Sequence, residues 1–205
     1  LWRLDGATAT IVERSAVVTG AQNLAAAGDW VFYRDELDGT NVVWFARLGG
    51  STPNAEARPL ATSTGGVMIS LSEVIAVGEH LYLIGDATDG AGLWYLAPDG
   101  SAVQSAGAGL ANPSGMIALS GNRLAFNYGT DFARNEIAVI DIADNALAAA
   151  ATAVLPTDAG NINTLYAFDN VLGHTGTTLM FAAENASGTE VAWQGTLTGS
   201  SLTLA

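Results

Sequence analysis

The sequence predicts an all-β chain built as a radial array of four-stranded antiparallel sheets, with four complete sheets and an N-terminal half sheet. Two observations carry this expectation. The first is an internal repeat. A bulky strand residue is followed, across an acidic Gly-containing turn, by a landmark on the next strand: Phe32 to Trp44, Leu83 to Trp94, Phe126 to Ala138 and Phe181 to Ala192. The intervals are 12, 11, 12 and 11 residues. A spacing kept four times marks a repeat architecture. The second is that Ala26, Ala76, Ala118 and Ala167 each stand third in the first strand of a unit. Small side chains suit inner strands that crowd toward an axis, with Trp44 and Trp94 filling the wedge further out.

The elements follow in order. Leu1-Trp2-Arg3-Leu4-Asp5-Gly6 matches a third strand and its turn, and 9–13 matches a fourth strand, so 1–20 is a half unit. The complete units span about 23–62, 74–105, 116–155 and 164–205, within one domain. Strands are expected at 24–27, 30–33, 42–45 and near 57–61; at 74–77, 81–84, 92–96 and near 102–105. They continue at 116–119, 124–126, 136–142 and near 146–154; at 165–168, 178–182, 190–194 and 201–204. Gly28-Asp29, Gly78-Glu79, Gly121-Asn122 and 173–176 supply the turns between first and second strands. Gly49-Gly50, Asp99-Gly100, Asp144-Asn145 and Gly199 supply those between third and fourth. Such residues tolerate the positive φ of hairpin turns. The Ala-rich run 145–152 favours helix by propensity, but the repeat register assigns it to a strand, and propensity is the weaker guide.

Composition bounds the function. Of 205 residues, 49% are hydrophobic, enough for one sizeable core, and 24 are Gly, which suits short strands and tight turns. The net charge is −13, and all seven basic residues are Arg. Phosphate backbones repel such a chain, so nucleic acid is excluded as a partner, and anionic membrane surfaces are disfavoured. No apolar run approaches the ~20 residues of a membrane-spanning helix, so membrane insertion is not expected. Without Cys there is no disulfide, thiolate metal site or Cys nucleophile. The chain begins at Leu1, not Met, so a cleaved or trimmed start is expected.

The Leu1-Trp2-Arg3-Leu4-Asp5-Gly6 string is similar to the Glu-Leu-Trp-x-x-Asp-Gly-Thr repeat of secreted bacterial β-propellers. Leu93-Trp94-Tyr95-Leu96-Ala97-Pro98-Asp99-Gly100 is a looser copy, with two extra residues. Tyr33-Arg34-Asp35-Glu36-Leu37-Asp38-Gly39 resembles the strand and turn of TolB-type repeats. Units three and four depart from the pattern, with Ala138 and Ala192 in the Trp position. The resemblance implies a propeller in an extracellular, cell-surface or periplasmic setting. It implies no activity, because a fold hosts many functions.

Parity along each meander assigns the loops to faces. Turns after first and third strands share one face; loops after second and fourth strands share the other. Propellers commonly bind ligands on the second face. There Asp35, Glu36, Asp38, Asp86, Asp89, Asp131, Asp158 and Glu184 gather, against Arg34 and Arg134. Calcium needs six to eight oxygens with clustered carboxylates. Asp35 with Asp38, and Asp86 with Asp89, are the metal candidates, and calcium is the one cofactor the pattern admits. The alternative is that they are solvated turn acids. No pair among the 20 acids is singled out as the two carboxylates of a glycosidase. His80 and His174 fall in or beside turns on the opposite face, as exposed turn histidines, so no Ser triad is expected. No Gly-x-Ser-x-Gly, phosphate loop or His-Glu-x-x-His occurs. Asn185-Ala186-Ser187 fits a glycosylation sequon. Trp30, Phe32, Tyr82, Phe126 and Phe181 are expected in the core between sheets.

Two functions follow. One is a non-catalytic extracellular binding or scaffold module with a protein or glycan ligand. The alternative is the propeller domain of a larger secreted hydrolase, lyase or peptidase, gating or docking substrate. A truncated ring is also expected: both chain ends supply outer strands, leaving an inner edge for upstream residues, another chain or the rest of a ring to cover. The competing arrangement is a four-sheet ring that carries 1–13 as an extra strand pair.

Overall fold

The computed structural model describes residues 2–5, 8–11, 22–47, 57–96, 100–106, 113–119, 122–129, 136–142, 148–154, 159–169, 177–185, 187–198 and 201–204. Among them are eighteen strands and no helix. The N-terminal hairpin pairs β1 (Trp2–Asp5) with β2 (Thr8–Ile11). Four antiparallel meanders follow, each in chain order. They are β3 (Gln22–Ala27), β4 (Trp30–Leu37), β5 (Thr40–Arg47), β6 (Arg58–Pro59); then β7 (Glu73–Val77), β8 (His80–Ala87), β9 (Gly90–Leu96), β10 (Val103–Ser105). The third has β11 (Ser114–Leu119), β12 (Arg123–Tyr128), β13 (Glu136–Asp141), β14 (Ala148–Val154), and the fourth β15 (Ala159–Asp169), β16 (Thr177–Asn185), β17 (Glu190–Thr198), β18 (Ser201–Leu204).

The Ala-rich segment is strand β14. It pairs with β13 through Glu136↔Val154 to Asp141↔Ala148, with an irregularity between Val139 and Ile140. Ladder hydrogen bonds to a formed neighbour override the helical propensity of Ala.

Register sets the landmarks of the repeat in two kinds of relation. Leu83 pairs with Trp94 and Phe126 with Ala138. Trp44, however, pairs with Tyr33, and Phe32 with Phe45; likewise Phe181 pairs with Trp193 and Ala192 with Ala182. The two-residue Asp38-Gly39 turn sets this register. Both residues have positive φ, 51° and 80°, the conformation of a tight hairpin. Alternation therefore puts Phe32 and Trp44 on opposite surfaces of the first sheet.

The cores lie between successive sheets. Phe32, Val43, Phe45 and Leu60 meet Met68, Leu81, Leu83, Trp94, Leu96 and Val103 between the first and second sheets. Tyr82, Ile84, Leu93 and Tyr95 meet Leu124, Phe126, Ala138 and Ile140 between the second and third. Val31, Tyr33, Ala46 and Ala57 pack on the other surface of the first sheet, with Trp44 against them. Phe32, Tyr82 and Phe126 are thus buried as expected, while Trp30 is only half-buried. The side chains of Phe181 and Ala167 lie outside the described residues. The alanines behave differently from the crowding argument: Ala76 is half-buried, but Ala26 and Ala118 are exposed. Their small size is not explained by contact.

The first strands succeed one another in space, with β3 against β7, β7 against β11, and β11 against β15. Among the described residues, no contact as extensive joins the first four-stranded sheet to the fourth, or the N-terminal hairpin to any four-stranded sheet.

The connection from the first to the second four-stranded sheet is a backbone clip. Val43 N–H donates to Met68 O at 2.7 Å, and Leu60 N–H to Val43 O at 2.8 Å. On the other side Ser63 N–H donates to Val103 O at 2.8 Å, and Ile69 N–H to Asp86 O at 2.8 Å. One segment thus pairs with both sheets it joins, satisfying its own polar groups.

Candidate binding cavity

A cavity of about 430 Å³ opens at the seam of the first two four-stranded sheets, on the face of the turns after first strands. Its walls are Asp29, Trp30 and Arg47 from the first sheet and Glu79, His80 and Leu81 from the second, with Gly28, Ala76 and Gly78 around them. The site follows from the turns. Gly28-Asp29 and Gly78-Glu79 close two-residue hairpins at Ala27↔Trp30 and Val77↔His80. Gly28 and Gly78 supply the positive φ, 55° and 61°. Each hairpin therefore presents an acid at its tip and a ring at the start of its second strand.

Trp30 is held on several sides. Its ring stacks on Phe45 at 5.3 Å between centroids, and the Arg47 guanidinium lies 5.5 Å from its centre. The six-membered ring abuts Gly100, where an added Cβ would sit 2.3 Å from Trp30 Cη2. Gly100 belongs to the second sheet's turn between third and fourth strands, so the structure brings the two turn classes to one face, as parity requires. Arg47 also lies 3.8 Å from Asp29, with both side chains largely exposed, a weak pair in water. His80 is not an exposed turn residue. It is half-buried, and its Nδ1 shares a 2.8 Å hydrogen bond with Tyr95 Oη. Nearby, burial pushes the Tyr82 phenol well above its ordinary range, with Tyr95 adding to the shift.

The cavity combines an indole, a guanidinium and two carboxylates, while the His80 ring turns to Tyr95 on the surface of the second sheet that meets the third. That set suits a small polar ligand with an apolar face. Sequence reasoning set Trp30 in the core and His80 in solvent; only the end-of-strand position they share could have flagged them.

The metal candidates lie on the other face and have other partners. The hairpin strands run further than expected, so Asp35 and Asp86 are strand residues, and only Asp38 and Asp89 sit at turns. Asp35 is buried, and its Oδ1 accepts the Glu36 N–H at 2.8 Å. Asp86 Oδ2 accepts the Ser70 hydroxyl at 2.8 Å, and Ser70 Oγ accepts the Asp86 N–H at 3.0 Å. Asp89 Oδ2 accepts hydroxyls from Thr62, at 2.7 Å, and from Thr64. The Thr64 and Thr62 hydrogen bonds hold its carboxyl below the usual carboxylate range. Asp86 and Asp89 thus pin the clip to the second sheet. Among the described residues, no three acidic or His side chains gather around one point. Asp131, Arg134, Asp158 and His174 lie outside the described residues, as do the side chain of Glu184 and the centre of the sequon.

No family model matches the chain, and no curated protein matches it. A solved structure from a study of two prolyl endopeptidases is similar at 18% identity and a TM-score of 0.48, over 86% of this chain and 25% of that one. The chain thus spans about a quarter of that structure's length.

Proposed function

We propose that this chain is a β-propeller-type module, extracellular, cell-surface or periplasmic, that binds a protein or glycan ligand without transforming it. The observation that carries the reading is the cavity beside Trp30 and Arg47. Its volume, about 430 Å³, is that of small-ligand pockets. Its acids and Arg47 offer hydrogen bonds to hydroxyls, and Trp30 and Leu81 offer an apolar wall. The propeller reading is supported by four consecutive meanders whose first strands neighbour one another in series.

The test is a glycan array probed with the chain alone, beside Glu79→Gln. The expected result is saturable binding to a defined glycan class, weakened roughly tenfold by loss of the Glu79 charge. Cleavage of arrayed glycans by the chain, or binding indifferent to Glu79→Gln, would sink the reading.

A further inference from the structure

On the opposite face, at the same seam, Arg34 is unusual. It is half-buried on β4, and its Nε is fully buried with no hydrogen-bond acceptor. A buried donor without a partner is costly, so native chains rarely leave one. The omission is sharper here, because the chain has 20 acids and seven arginines. Two acids beside the pocket are engaged elsewhere, and Glu36, on the same surface of β4 as Arg34, is exposed. Asp35 points to the other surface by strand alternation and accepts the Glu36 N–H. Asp86, reached through Ser70, is closed in its two-bond exchange with that serine.

Arg34 lines a small pocket with Tyr33, Val43, Ser70 and Leu71, of about 50 Å³. A single water needs roughly 10–15 Å³ by the same measure. The space therefore exceeds one water and matches a planar head of a few atoms. A guanidinium is a fork suited to two oxygens in one plane. Val43 and Leu71 lower the local dielectric, which strengthens such a pair.

We propose that this pocket binds a carboxylate group of a ligand through Arg34. It is distinct from the cavity at Trp30 and does not depend on the reading of that cavity.

The experiment compares thermal midpoints of the chain in sodium acetate and in sodium chloride at matched ionic strength and neutral pH. Acetate is expected to raise the midpoint saturably, by about 5 °C or more, whereas chloride does not. Arg34→Met is expected to fold, because it removes an unsatisfied group, and to lose the acetate response. Arg34→Lys, which keeps the charge without the fork, is expected to lose most of it. In the unmodified chain, acetate is expected to shift the Arg34 Nε–Hε NMR signal, a readout that holds even if a variant fails to fold. Equal midpoints in the two salts, an unmoved Arg34 signal, or an undiminished response in either variant overturns the proposal.

Discussion

Asp89 sits at the tip of an exposed hairpin, yet its carboxylate holds the hydroxyls of Thr62 and Thr64, and Thr62 Oγ1 in turn accepts the Gly66 N–H at 2.7 Å. Its folded-state pKa is lowered, so the stability it contributes is present above the unfolded value, about 4, and is lost as pH falls through the folded value. Amide exchange at Ser63 and Gly66 should therefore accelerate below about pH 4, after correction for intrinsic rates, and Asp89→Asn should show the faster exchange already at neutral pH. Equal corrected rates across that pH range would remove the latch. Gly85 is a second constrained residue: an added Cβ would stand 2.2 Å from Ser70 O, a backbone atom. Gly85→Ala is expected to lower stability by about 1–3 kcal/mol, read as a lower urea midpoint. Neither role was legible in the sequence. Asp86 and Asp89 looked like paired metal ligands because spacing reveals where carboxylates stand and not which hydroxyls reach them.

Strands and turns were largely legible, because alternation and turn glycines are local signals. The register of the first hairpin was not: Phe32 and Phe45 are partners only because Asp38 and Gly39 make so short a turn. Within the clip at 57–72 only a strand near 57–61 was legible, since the order of the rest comes from bonds to strands distant in sequence. A similar long-range tie joins the second sheet to the third. Glu73 on β7 accepts the Gly115 N–H and the Met116 N–H, each at 2.8 Å, one per carboxylate oxygen. Glu73→Gln turns an amide donor toward one of these N–H groups. The expected cost is about 1–3 kcal/mol, with faster exchange of both amides while the second sheet's own ladder stays protected. Protection unchanged at Gly115 and Met116 would show that the tie is not a stabilising one.

The first three four-stranded sheets are held together by cores between them. Leu83 is fully buried between the first and second, so Leu83→Ala should cost about 2–5 kcal/mol by calorimetry. The all-β class and the four-stranded units were readable from the repeat. The cavity was not, because it is made where two turns from different units meet, and no single unit contains it. It also lies on the face opposite the acids that drew notice, so ligand footprint decides the account. The direct measurement is an amide and indole NMR map of the chain, titrated with the glycan selected on the array. The account predicts shifts at Gly28, Trp30, Arg47, Gly78 and His80, including the Trp30 indole N–H. Shifts confined to the Asp38-Gly39 and Thr88-Asp89 turns, with the Trp30 indole unmoved, would contradict it.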